Sequence, residues 1–205
     1  MFETEISDHY DARVGTLSSI KRRSFGADVV TLAALTVLAY AQMEGGIKDL
    51  ASCTIRHLNA RKMRFGEIRP SLLQWRNARE LERFRSVVNF TMVADASPFA
   101  SLLSKRTKIR GINRRFDMNQ MSWSTIRIVY SGFGLDYVDV EARASEIDDL
   151  VTARNDVAHH GVPPNFASSV LEKQLRNNVA LVEDILANLA IKLIPYFTSR
   201  MHLRN

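Results

Sequence analysis

Cysteine, proline and glycine are all scarce in this sequence, and each scarcity narrows the possible structures. The single cysteine, Cys53, excludes an internal disulfide and a Cys-based zinc site, and it fits a reducing compartment. The five prolines and nine glycines fall mostly near apparent helix ends, which favours long helices over a turn-rich sheet protein. The sequence therefore predicts an all-α fold.

Export and membrane signals are also missing. The chain starts MFETEISDHYD, which is acidic and polar, whereas a secretory signal needs a basic start followed by an apolar run. The most apolar stretch, residues 29–41, is shorter than the roughly 20 residues that cross a bilayer, and it runs into Gln42 and Glu44. We expect a buried helix there, a cytoplasmic location and no membrane partner.

Acidic residues are few in the middle of the chain. Between Arg56 and Arg115 there are 15 Lys and Arg but four Asp and Glu, so this segment has a charge of +11 and the remainder −5. Such an asymmetry is typical of a surface that binds a polyanion, because neutralised phosphates release their counterions. The alternative interpretation is a solvated helical surface.

Hydrophobic periodicity predicts one helical domain spanning residues 1–205, with a basic insertion at about 61–118. The expected core helices, in chain order, cover about 5–24, 29–60 after the N-cap Asp28, 119–130, 139–160, and a last one that follows a capping box at Ser169–Glu172 and ends near Pro195. Within the insertion we expect helices at about 71–94 and 98–108. The pair Gly45-Gly46 would allow a close helix approach or a kink.

Arg154 continues the buried face of the helix predicted at 139–160. At 100° per residue it falls within about 20° of Ile147, so the helix directs a guanidinium along its own apolar face. An arginine so placed is either paired with a carboxylate or exposed in a cleft to an anionic ligand. The carboxylate candidate is Glu44, at the edge of the neighbouring core stripe.

Two histidines follow Arg154 at the end of the same helix. Asn155 and His159 are four residues apart and share a face, so the amide could orient what the imidazole acts on. A histidine is suited to proton transfer near neutral pH, and the helix C-terminus favours its protonated form. A lone histidine in this position is more often a surface cap, and His160 could be that cap while His159 is functional.

The segment RNDVAHHG, residues 154–161, resembles the R-x(4–6)-H motif of the HEPN superfamily. The earlier segment LAYAQMEGGIKDL is similar to the helix that pairs with this motif in a stand-alone HEPN subfamily. The resemblance covers about residues 5–60 and 119–200. It implies an up-and-down helical bundle of HEPN type, with the basic middle inserted as a further helical segment.

The resemblance also implies a metal-independent endoribonuclease that needs no cofactor. His159 would be the acid/base group, Arg154 would stabilise the phosphorane and Asn155 would assist positioning, with Glu44, His160 and Asp156 as possible supporting residues. The products would carry 2′,3′-cyclic phosphate and 5′-hydroxyl ends. A toxin or phage-defence setting, with an antitoxin or defence-system partner protein, follows from the same resemblance. The alternative is a non-catalytic HEPN module for nucleic-acid binding or assembly.

Helix geometry favours a homodimer. Arg154 and His159 project about 140° apart on an ideal helix, so one chain cannot readily bring both to one phosphate. Either the helix unwinds before Gly161, or two copies of the motif meet across a two-fold interface in a composite active site.

The remaining candidates concern RNA and metals. Aromatic residues lie among arginines on the helix predicted at 71–94, and they either stack on bases or pack the helix on the bundle. The candidate RNA-binding residues are Arg76, Arg79, Arg83, Lys105, Arg106 and Lys108. His9, His57 and His202 are scattered without ligand spacing, so we predict no metal site.

Overall fold

Six α-helices make up most of the chain in a computed structural model, which describes residues 1–69, 71, 72, 109, 121–161 and 167–203. They are α1 (Phe2–Arg23), α2 (Val29–Ala60), α3 (Trp123–Phe133), α4 (Val138–Glu141), α5 (Ala144–His160) and α6 (Ser168–Leu193), with short 3-10 turns at Phe65–Glu67 and Ile194–Tyr196. Within these ranges the β-structure is limited to isolated bridge residues, which include the antiparallel pair Ile68 and Leu203. The predicted all-α fold is confirmed.

Helix α2 lies at the centre and packs against α1, α5 and α6. The contacts give the directions: Arg13 of α1 pairs with Asp49 at 2.5 Å, whereas Glu5, earlier in α1, pairs with the later residue His57 of α2 at 2.8 Å. Helices α1 and α2 are therefore antiparallel. The core between the helices is apolar and includes the fully buried Leu17, Ile47, Leu50, Ile147, Val179, Val182 and Leu189.

The turn between α1 and α2 follows the sequence prediction. Gly26 has a φ of +63°, a left-handed conformation that glycine adopts at little cost. Asp28 is the N-cap of α2, and its Oδ1 accepts a hydrogen bond from the backbone N–H of Thr31 at 2.9 Å. This short connection places α1 alongside α2, and the two helices pack together.

Gly46 lies where α2 meets α6 most closely. A Cβ placed on Gly46 would be 2.6 Å from Cδ2 of the fully buried Leu186. No side chain larger than hydrogen fits there unless Leu186 moves. Of the two effects expected from the glycine pair, the structure shows the close approach.

Two predicted features of the C-terminal half are wrong. The helix expected at 139–160 is broken at residues 142–143 into α4 and α5, because Val140 turns into the core while Arg143 pairs with Glu146 and with Asp184 of α6. The predicted capping box is also absent. Ala167 is the N-cap of α6 and makes no side-chain cap bond, and Glu172 pairs with Arg176 instead.

Helix α2 is, by length and composition alone, apolar enough to cross a membrane, with a mean hydropathy of 1.3 over its most apolar window. It has 32 residues and so extends well beyond the apolar run seen in the sequence. Half of that window is buried inside the bundle, against α1, α5 and α6. We therefore interpret α2 as the core helix of the domain.

Most of the basic middle segment, residues 73–108 and 110–118, falls outside the described residues, and so do nearly all of its two predicted helices and all of the candidate RNA-binding residues. Hydrogen bonds at Ile109 and Met121 show where the chain contacts the bundle beside the undescribed residues. The side chain of Asn59 exchanges two hydrogen bonds with the backbone of Ile109, at 2.7 and 2.8 Å. The backbone N–H of Met121 donates to the Tyr40 hydroxyl at 2.7 Å.

Candidate active site

Arg154 lies on the buried face of α5, directly after Ile147, Leu150 and Val151, as the periodicity predicted. Its side chain is half-buried. The guanidinium carbon lies 5.3 Å from the centre of the Tyr40 ring on α2, and Nη1 donates a hydrogen bond to Oδ1 of Asn155 at 2.9 Å. A cation over an aromatic face at this distance is held by the ring's negative quadrupole.

No carboxylate pairs with Arg154 among the described residues. The acid considered for this role, Glu44, instead pairs with Lys48 one turn further along α2, so an Arg154–Glu44 ion pair is not formed. The reason is local, because a Glu and a Lys four residues apart on one helix are neighbours. The Nε of Arg154 is buried and has no hydrogen-bond acceptor in the described part of the chain. The site thus holds a guanidinium whose hydrogen-bonding capacity is largely unused.

Tyr40 joins this arrangement although the sequence indicated only a core residue. Its side chain is 2% exposed, and its hydroxyl accepts the Met121 N–H. Burial raises the pKa of Tyr40; the neighbouring Glu44 carboxylate raises it further, while the charge of Arg154 opposes the increase. Tyr40 is therefore a neutral phenol at neutral pH that supports the guanidinium with its ring.

The two histidines lie at the exposed C-terminal end of α5. The helix ends at Gly161, whose φ of +76° is accessible to glycine. His160 Nδ1 lies 3.9 Å from Asp156 Oδ1, while His159 has no hydrogen-bonding partner within the described ranges. His159 is thus the imidazole of the pair that is free to meet a ligand, and Asp156 associates with His160.

Arg154 and His159 do not contact each other within one chain. Among the described residues, Arg154 contacts Asn155 and Tyr40, and the His159 ring contacts the ring of His160, 6.5 Å away. The helix remains regular through residue 160. The unwinding that could have brought the two side chains together does not occur.

A narrow groove flanks the motif between α2, α5 and α6. Its volume is about 130 Å³ and its lining residues are Ala33, Thr36, Ala153, Asp156, Val157, Leu171 and Gln174. Typical pockets for small molecules measure roughly 300–1,000 Å³. The groove is too small to enclose such a ligand, and the motif itself lies on an open surface.

A second cluster, at the other end of α2, was not expected. His9 and His57, which seemed to lack ligand spacing, both lie beside Glu5, and Glu5, His9 and Cys53 bring their ligand atoms within 4.8 Å of one another. The sequence contained an indication of this cluster, because Glu5 and His9, and likewise Cys53 and His57, are four residues apart. It gains meaning only once α1 and α2 are known to face each other.

Comparison with known proteins agrees with a helical HEPN-type domain. Residues 3–194 match the family described as RiboL-PSP-HEPN, and this span includes the basic middle of the chain. Searches among curated proteins and solved structures gave no significant match. The HEPN assignment suggests a nuclease or another RNA-related role, and HEPN domains are often ribonucleases. Since the match covers nearly all of its length, the chain belongs to the RiboL-PSP-HEPN family.

Proposed function

We propose that this protein is a metal-independent endoribonuclease with Arg154, Asn155 and His159 at its active site. The observation that carries the proposal is the state of Arg154: a half-buried guanidinium that has no carboxylate partner among the described residues and a buried Nε without an acceptor. A cation so placed is costly unless an anion completes it. An RNA phosphate supplies that anion, with oxygens suited to the donors of a guanidinium.

In the proposed reaction, the ribose 2′-oxygen attacks the adjacent phosphorus and the bond to the 5′-oxygen breaks. The proton leaves the 2′-hydroxyl, and a proton is delivered to the departing 5′-oxygen, so no water is consumed. His159 performs one of these transfers, for which an exposed imidazole is suited. Arg154 stabilises the negative charge that develops on the phosphorane, and Asn155 holds the guanidinium in place. The products carry 2′,3′-cyclic phosphate and 5′-hydroxyl ends.

The shape and charge of the protein support a polymeric substrate. The groove beside the motif is small, and both histidines are exposed, which suits a strand lying across the surface. The segment from Arg56 to Arg115 has a net charge of +11. We propose that this segment holds the backbone of single-stranded or loop RNA, with contributions from Arg76, Arg79, Arg83, Lys105, Arg106 and Lys108.

A homodimer would complete the active site. Since Arg154 and His159 do not meet within one chain, we propose that Arg154 of one copy and His159 of another act on the same phosphate. The proposed setting, a toxin or phage-defence effector controlled by a partner protein, is supported by the family resemblance. A non-catalytic binding module is the alternative. In such a module Arg154 would form a structural ion pair with Glu44, but Glu44 pairs with Lys48 instead.

The test is cleavage of a total RNA pool in EDTA, with the product ends mapped. We expect wild-type protein to cut and to leave cyclic phosphates, while His159→Ala and Arg154→Met are inactive. Thr152→Ala, an exposed change on the same helix, is the matched control and should cut like wild type. Cleavage that survives in His159→Ala and is lost in His160→Ala would exchange the roles of the two histidines. A well-folded wild type that binds RNA without cutting it would support the binding module.

The dimer proposal has its own test. Arg154→Met and His159→Ala proteins, each inactive alone, are mixed and allowed to exchange subunits. A mixed dimer contains one site with an intact Arg154 and an intact His159, so activity should return. If mixed dimers form and remain inactive, the two residues do not act across the interface.

A further inference from the structure

Four residues with metal-binding side chains lie between α1 and α2, and the ligand atoms of three of them, Glu5, His9 and Cys53, lie close together. Glu5 and His9 are four residues apart on α1, and Cys53 and His57 are four residues apart on α2, so each pair occupies one face of its helix. Because the helices are antiparallel, the two faces meet. This cluster is well separated from Arg154, since Cys53 lies about 20 Å along α2 from Tyr40.

The distances within the cluster approach those of a coordination site. His57 Nε2 lies 2.8 Å and His9 Nε2 4.0 Å from oxygens of Glu5. The ligand atoms of Glu5, His9 and Cys53 lie within 4.8 Å of one another. Tetrahedral zinc, with bonds of about 2.0–2.3 Å, holds its ligand atoms roughly 3.3–3.8 Å apart. Side-chain rotations of about an ångström would close the difference.

The donor set and its burial select the kind of metal. A thiolate, two imidazoles and a carboxylate suit a borderline-soft divalent cation such as zinc, and disfavour magnesium and calcium, which prefer oxygen ligands. Cys53 is fully buried, while the side chains of Glu5, His9 and His57 are 32–37% exposed. The sulfur thus lies at the base of the cluster and the other ligands at its solvent edge, through which an ion can enter.

Two features oppose metal binding and must be overcome. The guanidinium of Arg56 pairs with Glu5, but this arginine is 62% exposed and can turn into solvent. Burial raises the pKa of Cys53 to about 11, so an incoming cation has to displace the thiol proton. Both features are compatible with a site in which Arg56 and His57 hold Glu5 until a metal displaces Arg56 and takes His57 as a ligand.

We propose that Glu5, His9 and Cys53 bind one zinc ion that fastens α1 to α2, and that His57, which contacts Glu5, turns in as the fourth ligand. Four protein ligands leave no open position, which is the arrangement of a structural zinc site. The ion takes no part in the RNA cleavage proposed at Arg154 and His159. Its expected effect is on the stability of the α1–α2 pair.

Cobalt is the probe for the site, because a cobalt–thiolate bond gives a charge-transfer band in the near ultraviolet. Metal-stripped protein is titrated with Co²⁺ and then with Zn²⁺. We expect one Co²⁺ per chain, a thiolate band, displacement of cobalt by zinc, and a higher unfolding temperature with Zn²⁺. Cys53→Ser should abolish the band, and His9→Gln should weaken binding at least about tenfold. Asp8→Asn, an exposed neighbour of His9, is the matched control and should bind like wild type.

Some outcomes would overturn the proposal. One is Co²⁺ binding without a thiolate band, which would place the ion on surface carboxylates; another is equal affinity in wild type and His9→Gln. Because His9 is partly exposed, that variant folds independently of any effect at buried Cys53. RNA cleavage is measured in parallel, so that a failure of the zinc proposal is distinguishable from a failure of the ribonuclease proposal.

Discussion

Replacing Arg154 by methionine separates a structural arginine from a functional one. Methionine keeps the unbranched apolar stem that follows the buried face of α5 and removes the charge. The change deletes a hydrogen bond to Asn155 and the contact with the Tyr40 ring, each about 1–2 kcal/mol. It also removes the buried Nε that has no acceptor, which recovers about 1–3 kcal/mol. We therefore expect the free energy of unfolding to change by no more than about 1 kcal/mol.

The cleavage rate should respond very differently. Removing a group that stabilises developing charge in a transition state reduces kcat by about 10²–10³. Unfolding is followed by circular dichroism in urea, and cleavage with a labelled RNA. The matched control is Arg143→Met at the N-cap of the same helix. This change breaks the ion pairs with Glu146 and Asp184, costs at most about 1 kcal/mol, and should leave cleavage unchanged. A loss of 3 kcal/mol or more in Arg154→Met, as for a broken buried ion pair, would refute this reasoning.

Three further predictions concern the core. Tyr40→Phe should lower the free energy of unfolding by about 1–3 kcal/mol, because it leaves the buried backbone N–H of Met121 unpaired. It should retain most of the cleavage activity, since the ring remains under Arg154. Tyr40→Leu should lower both the stability and the cleavage activity. Gly46→Ala should destabilise the protein by about 1–2 kcal/mol through overpacking against α6. Gly15→Ala, with open space around the new methyl group, should stabilise it slightly. Equal effects of the two changes in urea unfolding would contradict the close approach of Gly46 to Leu186. Burial lowers the pKa of His202, so the unfolded chain binds a proton more readily than the folded one. The free energy of unfolding should therefore fall as the pH drops below about 6.5, until the pH reaches the lower pKa of the folded state. His202→Gln should reduce this pH dependence.

Hydrophobic periodicity predicted the helices that form the core. It did not predict the helix break that tertiary contacts cause at residues 142–143. The bounds of α1, α2 and α6 lie within a few residues of those expected, because long amphipathic stretches and the Asp28 cap are local signals. The break at residues 142–143 has no such signal, since alanine and arginine both favour helix. It depends on the burial of Val140 and on the reach of Arg143 to α6.

The direction of the Arg154 side chain was predictable from the sequence, whereas its contacts were less so. The buried direction of Arg154 followed from the period of α5, but its assignment to Glu44 overlooked Lys48, four residues further along the same helix. That local pair needs no tertiary contact to form, so it was the stronger sequence signal. Tyr40 could not be assigned to Arg154 from the sequence, because the register between α2 and α5 is set by packing.

The close contact between Gly46 and Leu186 joins residues 140 positions apart, in the most extensive helix interface of the described structure. The α1–α2 hairpin has a short connection and can form early, but α2 cannot bury its second apolar face before α6 has been made. During synthesis, an apolar surface of α2 therefore stays exposed until the ribosome has made the residues of α6. Chains that end before α6 should accumulate as aggregates, and completion of the last helix should be the step that makes folding irreversible in practice.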